Sequence, residues 1–237
     1  MFVLFLLSVF QASRAAFSIL DQPGSFAQFP KWDACVNASI SFDFRTDPGA
    51  REGLLMYVDD GGQYDFFDVM HRNGRVEVEL SIVDGVDGAV SIIPSTSNVN
   101  DGRWHSVKIQ RRRMETTVTV DSVSQSQLSF GSDQYFGAQD NSYVYFGGLP
   151  EFYDNNFQKL ANPTSYLRPR FQGQIRNVIY NNCTCERTRV QLMDGVAVTP
   201  QPEACDRHAD CAEGCLCVSG ATAFCDCSEK FRCFAGE

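Results

Sequence analysis

The chain has 237 residues, 43% of them hydrophobic, with 29 acidic against 20 basic side chains and a formal net charge of −9. That length admits one sizeable domain with a small companion. The acidic balance argues against a nucleic-acid binder, whose footprint is a basic surface.

The chain opens MFVLFLLSVFQASRA, an apolar run from Phe2 to Phe10 followed by small and polar residues. The run falls well short of the ~20 residues that a membrane-crossing helix needs. Ser13 and Ala15 supply the small residues that a signal peptidase accepts, so residues 1–15 read as a secretory signal. No later stretch carries 18 apolar residues together, so no membrane span is expected and the mature chain is expected outside the cell.

From about Phe26 to Tyr180 the pattern is one of short strands. Ile40, Phe42 and Phe44 alternate with Ser41, Asp43 and Arg45. Residues 54–58 are continuously apolar, as in a strand covered on both sides. Val76, Val78, Leu80 and Ile82 alternate with Arg75, Glu77, Glu79 and Ser81, one face oily and one wet. Further strands are expected at 66–70, 89–93, 105–110, 116–121, 142–146 and 174–180. Turn signals such as Asp59-Asp60-Gly61-Gly62, Asn73-Gly74 and Asn100-Asp101-Gly102 separate them. No segment keeps a helical period. The expected fold is therefore all-β, an antiparallel sandwich. Within it His105 is in phase with Val107 and Ile109, which places it inward as a hydrogen-bonded core histidine.

Composition changes near residue 181. Residues 183–202 lose the strand pattern and read as a linker containing Cys183 and Cys185. Ten cysteines are present, and nine of them fall between Cys183 and Cys233. In an oxidising compartment such crowding means disulfides rather than zinc thiolates. The unit at 203–237 is too small to bury a sufficient core, so it must be stapled, each bridge contributing about 2–4 kcal/mol. Asn37-Ala38-Ser39 and Asn182-Cys183-Thr184 are glycosylation sequons in a secreted chain.

The run CDRHADCAEGCLCVSGATAFCDCSEKFRC resembles an EGF-like module. The resemblance implies bridges Cys205–Cys217, Cys211–Cys225 and Cys227–Cys233. Cys35, Cys183, Cys185 and Cys215 are then left over, with Cys215 expected to join back to Cys183 or Cys185. The larger unit, 26–182, resembles a laminin G-like (LNS) domain. Its marks are FAQFPKWDACVNASISFDFRT, GLLMYVDDGGQYDFFDV, NDGRWHSVKIQRR, VYFGGLP and RFQGQIRNVIYNN, in the family's order. PKWDAC with an EGF-like module directly behind is most similar to the first LNS domain of the neurexins, invertebrate ones in particular. That resemblance implies a jelly-roll sandwich and a role in adhesion or receptor contact at cell surfaces such as the synapse.

It also implies candidate sites. LNS domains often hold a rim calcium, and Asp65 matches the position of the first carboxylate ligand, with Asp140 and Asn141 as candidates from a neighbouring loop. Backbone carbonyls near Ile82 or Val83 would complete a shell of six to eight oxygens. Lys108, Arg111, Arg112 and Arg113 form the one basic cluster, a candidate contact for heparan sulfate; the plainer reading is a solvated strand end that guards a sheet edge. Nothing resembles an active site. His71, His105 and His208 are scattered, and Glu77 and Glu79 share an ordinary wet face. The expected function is a non-catalytic extracellular module that binds a protein partner through rim loops near 63–65, 84–88 and 139–141, with the EGF-like unit as spacer or hinge. The alternative is a lectin-like glycan binder.

Overall fold

A computed structural model of the chain describes residues 16–20, 22–34, 36–82, 90–129, 136, 142–182, 187–206, 211–213 and 215–227. The strands in chain order begin with β1 (Phe17–Ile19), β2 (Phe26–Phe29), β3 (Asn37–Thr46), β4 (Glu52–Asp59), β5 (Phe66–Arg72) and β6 (Arg75–Ser81). They continue with β7 (Ser91–Pro94), β8 (His105–Arg112), β9 (Glu115–Val120), β10 (Val123–Leu128), β11 (Val144–Phe146) and β12 (Gly173–Asn181). The last are β13 (Arg187–Arg189), β14 (Asp194–Val196), β15 (Val198–Pro200), β16 (Leu216–Ser219) and β17 (Ala223–Asp226).

Two antiparallel sheets pack face to face as a jelly-roll sandwich. One runs β10-β9-β8-β3-β12-β1-β15, with β13 also against β12; the other runs β14-β2-β11-β4-β5-β6-β7. Alternation dictates the packing. Phe42 and Phe44 of β3, Val107 and Ile109 of β8, and Val76, Val78 and Leu80 of β6 all fill the space between the sheets. Aromatic edges lock the centre, with Phe42 and Phe146 ring centroids 5.0 Å apart and nearly perpendicular at 81°. Such pairs add roughly 0.5–1.5 kcal/mol beyond their burial.

The continuous run 54–58 in β4 is covered on both sides. Leu55, Met56 and Val58 belong to the inter-sheet core, while Leu54 and Tyr57 join a second cluster on the outer face with Phe26, Phe66 and Met70. That outer cluster is roofed by Leu149, Leu160, Tyr153 and Tyr166, carried on the segment 149–168 with its short 3-10 turns Glu151–Asn155, Phe157–Lys159 and Pro163–Leu167.

Two boundaries differ from the expected ones. Residues 183–202 are not simply a linker, because β13, β14 and β15 extend both sheets from within that stretch. β1 also lies inside a sheet, between β12 and β15, so the sandwich starts before residue 26. Three-residue strands pair through backbone hydrogen bonds and are too short to show a period.

β16 and β17 form a separate hairpin, stapled by Cys205–Cys217, Cys211–Cys225 and Cys215–Cys227. The third bridge corrects the one the family resemblance implied: Cys227 takes Cys215, not Cys233. Cys215 therefore does not reach back to Cys183 or Cys185. The reason is cross-strand geometry. Leu216 faces Asp226 in the ladder, so Cys215 and Cys227 are the next opposed pair, with Cα atoms 4.4 Å apart. That is the close spacing of a pair not bonded through its backbone. Cys35, Cys183, Cys185 and Cys233 lie outside the described residues.

The hairpin is docked on the sandwich rather than tethered as a hinge. A register shift between Arg176 and Ile179 of β12 leaves Asn177 at φ +54°, buried. Its Nδ2 donates to Ser219 O at 2.8 Å and to Asp43 Oδ2 at 2.7 Å. Its Oδ1 accepts from Ser219 N at 3.0 Å and from Arg189 Nη2 at 3.1 Å. Arg187 Nη2 meets Asp226 Oδ2 at 2.7 Å, and Arg189 pairs with the buried Glu203 carboxylate. Asparagine suits the bulge because it tolerates left-handed backbone and its amide can donate and accept at once.

His105 lies inward as expected, at the corner where β8 begins. Its Nδ1 is 3.0 Å from Asp121 Oδ2 and its Nε2 is 2.8 Å from Asp101 Oδ1. Burial alone would push its pKa down, but the hydrogen bonds and charges of Asp121 and Asp101 push it above the usual histidine value. A raised folded-state pKa stabilises the fold fully below about pH 6.5, and that contribution fades as pH climbs through the folded value. The gap in thermal midpoint between the wild type and His105→Gln is thus expected to be widest near pH 6 and to narrow by pH 9; a gap that widens with pH would refute the assignment.

Candidate functional site

The rim loop between β4 and β5 and the 149–168 segment form one construction. Asp59, at the end of β4, accepts from Tyr57 Oη at 2.9 Å, from Ala161 N at 3.0 Å and, through its other oxygen, from Gly61 N at 3.0 Å. Tyr57 Oη in turn accepts from Asn162 N at 3.1 Å. Burial pushes the Asp59 carboxyl up from its ordinary value, and those donors pull it partly back. One strand end thus holds the segment 102 residues further along the chain.

Asp68 of β5 is the second anchor. It faces outward into the roof, fully buried, and accepts from Ser165 Oγ at 2.6 Å and Arg168 Nε at 3.3 Å. Burial raises its pKa, opposed by Ser165 and Arg168. Arg168 also pairs with Glu79, which accounts for one of the two carboxylates on that wet face. Asp60 caps the loop itself, its carboxylate accepting from Gln63 N at 2.8 Å and Tyr64 N at 3.1 Å. Gly62 sits against the backbone of Lys159, where a side chain would overlap the Lys159 carbonyl.

These anchors present apolar side chains to solvent. Tyr64 is 53% exposed on the loop, and Phe152, Phe157 and Leu167 are 57%, 49% and 81% exposed on the segment. Lys159 Nζ stands 5.0 Å from the Phe152 ring centroid, over its face. Exposed aromatics on a rigid support are the usual anchors of protein recognition. Nothing in the sequence pattern flagged Phe152, Phe157 or Leu167, since 3-10 turns carry no period longer than a few residues. The signal that was there is indirect: residues 54–58 demand an outer cover.

The residues singled out in the sequence fall as follows. Asp65, directly before β5, is buried at the rim, 5% exposed. Its expected companions Asp140 and Asn141 lie outside the described residues, as do 83–89. Among the described residues no three metal-ligating side chains are grouped. The basic cluster is divided by the strand's pleat. Arg111 continues the inward phase of His105, Val107 and Ile109 and is 1% exposed, donating to Thr116 Oγ1 at 2.9 Å and Ser129 Oγ at 2.8 Å. It is therefore not a surface glycan contact. Lys108 remains half-buried, and Arg112 and Arg113 exposed. Asn37 opens β3 with its side exposed, and Asn182 follows β12 half-buried.

A laminin G domain model matches residues 44–183. Neurexin 1 of Drosophila melanogaster is 30% identical over 236 residues, covering 89% of this chain and 12% of that protein. Neurexin-3a of Danio rerio is 29% identical over 211 residues, covering 87% of this chain and 11% of that protein. Among solved structures, domains LG4-5 of the mouse laminin alpha1 chain superpose with a TM-score of 0.62 at 20% identity, over 79% of this chain and 47% of that one. The chain thus spans about 12% of the length of the curated relatives it matches. No described helix is long and apolar enough to cross a membrane. The laminin G and neurexin relatives it matches are non-catalytic modules. It belongs to the laminin G domain family and is neurexin-like.

Proposed function

We propose that this chain is an extracellular adhesion or receptor-binding module that engages a protein ectodomain through the face built by the 59–65 loop and the 151–167 segment. The observation that carries this reading is the exposure of Tyr64 on the loop and of Phe152, Phe157 and Leu167 on the adjoining segment, which the buried carboxylates of Asp59 and Asp68 anchor. A loop so anchored loses little freedom on binding, which leaves more of the contact energy as affinity. Calcium belongs to the same reading, held at the rim by Asp65 with Asp140 and Asn141, a set of hard oxygen donors suited to that ion.

The test is binding of the chain to neuronal and epithelial cell surfaces, with and without EDTA. The double variant Phe152→Ser, Leu167→Ser should bind at least tenfold more weakly while its thermal midpoint stays within a few degrees of wild type, since both side chains are exposed. Undiminished binding would overturn the assignment of this face. EDTA should weaken wild type and leave Asp65→Asn unaffected. The glycan alternative predicts instead heparin competition and a steep salt slope. The inward Arg111 leaves it with three cations where the sequence offered four, so we favour the protein partner.

A further inference from the structure

A concave site lies where the β16–β17 hairpin meets the sandwich. The cleft there has a volume of about 550 Å³, within the range of small-ligand sites. Its sandwich side is the outward face of neighbouring strands: Arg45 of β3, Trp104 just before β8, and Gln174 and Arg176 of β12. The hairpin turn contributes 220–223, whose small side chains leave the space open.

The charge in the cleft is of the opposite sign to that of the protein. The guanidinium carbons of Arg176 and Arg45 stand 4.0 and 5.2 Å from the Trp104 ring centroid, so one indole collects two cations. Arg176 Nε meets Asp43 Oδ2 at 3.3 Å. Arg45 Nη2 donates to Gln174 Oε1 at 2.6 Å, and no carboxylate among the described residues pairs with it. Glu203, the one acidic side chain in the lining, is already bound by Arg189. A guanidinium fixed by stacking and by one amide oxygen keeps its remaining donors aimed and ready, so little entropy is lost when an anion arrives.

We propose that this cleft is a carboxylate-binding site for an acidic peptide segment, with Arg45 gripping the carboxylate and Trp104 holding the arginine in place. A charge-assisted, forked pair of this kind is among the stronger polar contacts a surface can make. A sialylated glycan shares the carboxylate, but sugar rings stack on open aromatic faces, and here arginines occupy the indole. The site is separate from the 59–65 and 151–167 face and does not rest on that reading.

The chain contains two tryptophans, and Trp32 is fully buried, so a ligand-dependent change in emission reports Trp104. The whole chain, at low ionic strength, is titrated with acetyl-triglutamate amide, with its triglutamine counterpart and with free sialic acid. A saturable change with triglutamate and none with triglutamine is expected. Arg45→Gln, which keeps a hydrogen-bonding amide and drops the charge, should weaken triglutamate at least tenfold; Arg45→Lys, which keeps the charge and drops the fork, should fall between. No saturation at millimolar triglutamate, equal response to triglutamine, or unchanged affinity in Arg45→Gln would overturn the site. Tighter binding of sialic acid than of triglutamate would overturn the peptide.

Discussion

Replacing Gly62 by alanine should destabilise the chain by about 2–4 kcal/mol and abolish binding through the rim face, whereas Gly49→Ala should destabilise it by only about 1 kcal/mol. Both glycines hold left-handed backbone, φ +83° at Gly62 and +92° at Gly49, so both substitutions pay the same conformational penalty. They differ in what a new Cβ would meet. At Gly49 nothing lies within 4 Å, while at Gly62 the methyl would overlap the carbonyl of Lys159. The backbone of Lys159 cannot step aside cheaply, because Ala161 N and Asn162 N, two and three residues on, are tied to Asp59 and Tyr57. The clash should therefore lift the whole 151–167 segment and uncover Leu54, Tyr57 and Met70. Urea unfolding of the two variants side by side decides the matter, and equal midpoints would remove the support for a rigidly seated segment.

Asn177→Ala is expected to destabilise the chain by about 3–5 kcal/mol and to free the hairpin from the sandwich. Removing the amide leaves the Ser219 N–H and C=O, both buried, without their partners, and takes a donor from Asp43 and an acceptor from Arg189. Each buried polar group left unsatisfied costs about 1–3 kcal/mol. Alanine at φ +54° adds backbone strain, so Asn177→Gly should recover about 1 kcal/mol without restoring the dock. Hydrogen exchange at the Ser219 amide is the specific readout: it should rise sharply in both variants. Protection equal to wild type would mean that the disulfides and the Arg187 and Arg189 ion pairs hold the hairpin unaided. Opening the dock should also dismantle the Arg45–Trp104 cleft, since 220–223 form part of its lining.

Much of the fold can be read from period-two alternation. β3, β5, β6, β8, β9 and β12 all fall where the alternation or an apolar run puts them. The inward turn of His105 was legible in the same way, and the phase that buries His105, Val107 and Ile109 extends without a break to Arg111. The basic cluster looked like a surface because its four charges are near neighbours in sequence; the pleat separates them by face. Local pattern also announced the rim loop, through Asp59-Asp60-Gly61-Gly62, and the oxidised tail, through its cysteine density.

Other features depended on contacts between residues far apart in the chain. No local signal tells which cysteine lies opposite Cys227, because that depends on the hairpin register that sets Leu216 against Asp226. Nor does the run Leu-Ala-Asn at 160–162 reveal that it seats on β4, for the tie is the Asp59 carboxylate across 102 residues. Asn177 reads as one more polar position in a strand until the bulge turns its amide onto Ser219.

What the sequence by itself determined is the class of molecule: a β sandwich with one oily face per strand, followed by a stapled tail. Side-chain alternation and cysteine count are properties of neighbours along the chain, and they survive without knowledge of the fold. What only the tertiary structure decided is which surfaces can work. The roof that lifts Phe152 and Leu167 into solvent and the dock that makes a cleft around Arg45 both arise from buried polar groups seeking partners. Those partners are found across the fold, at distances no sequence window spans.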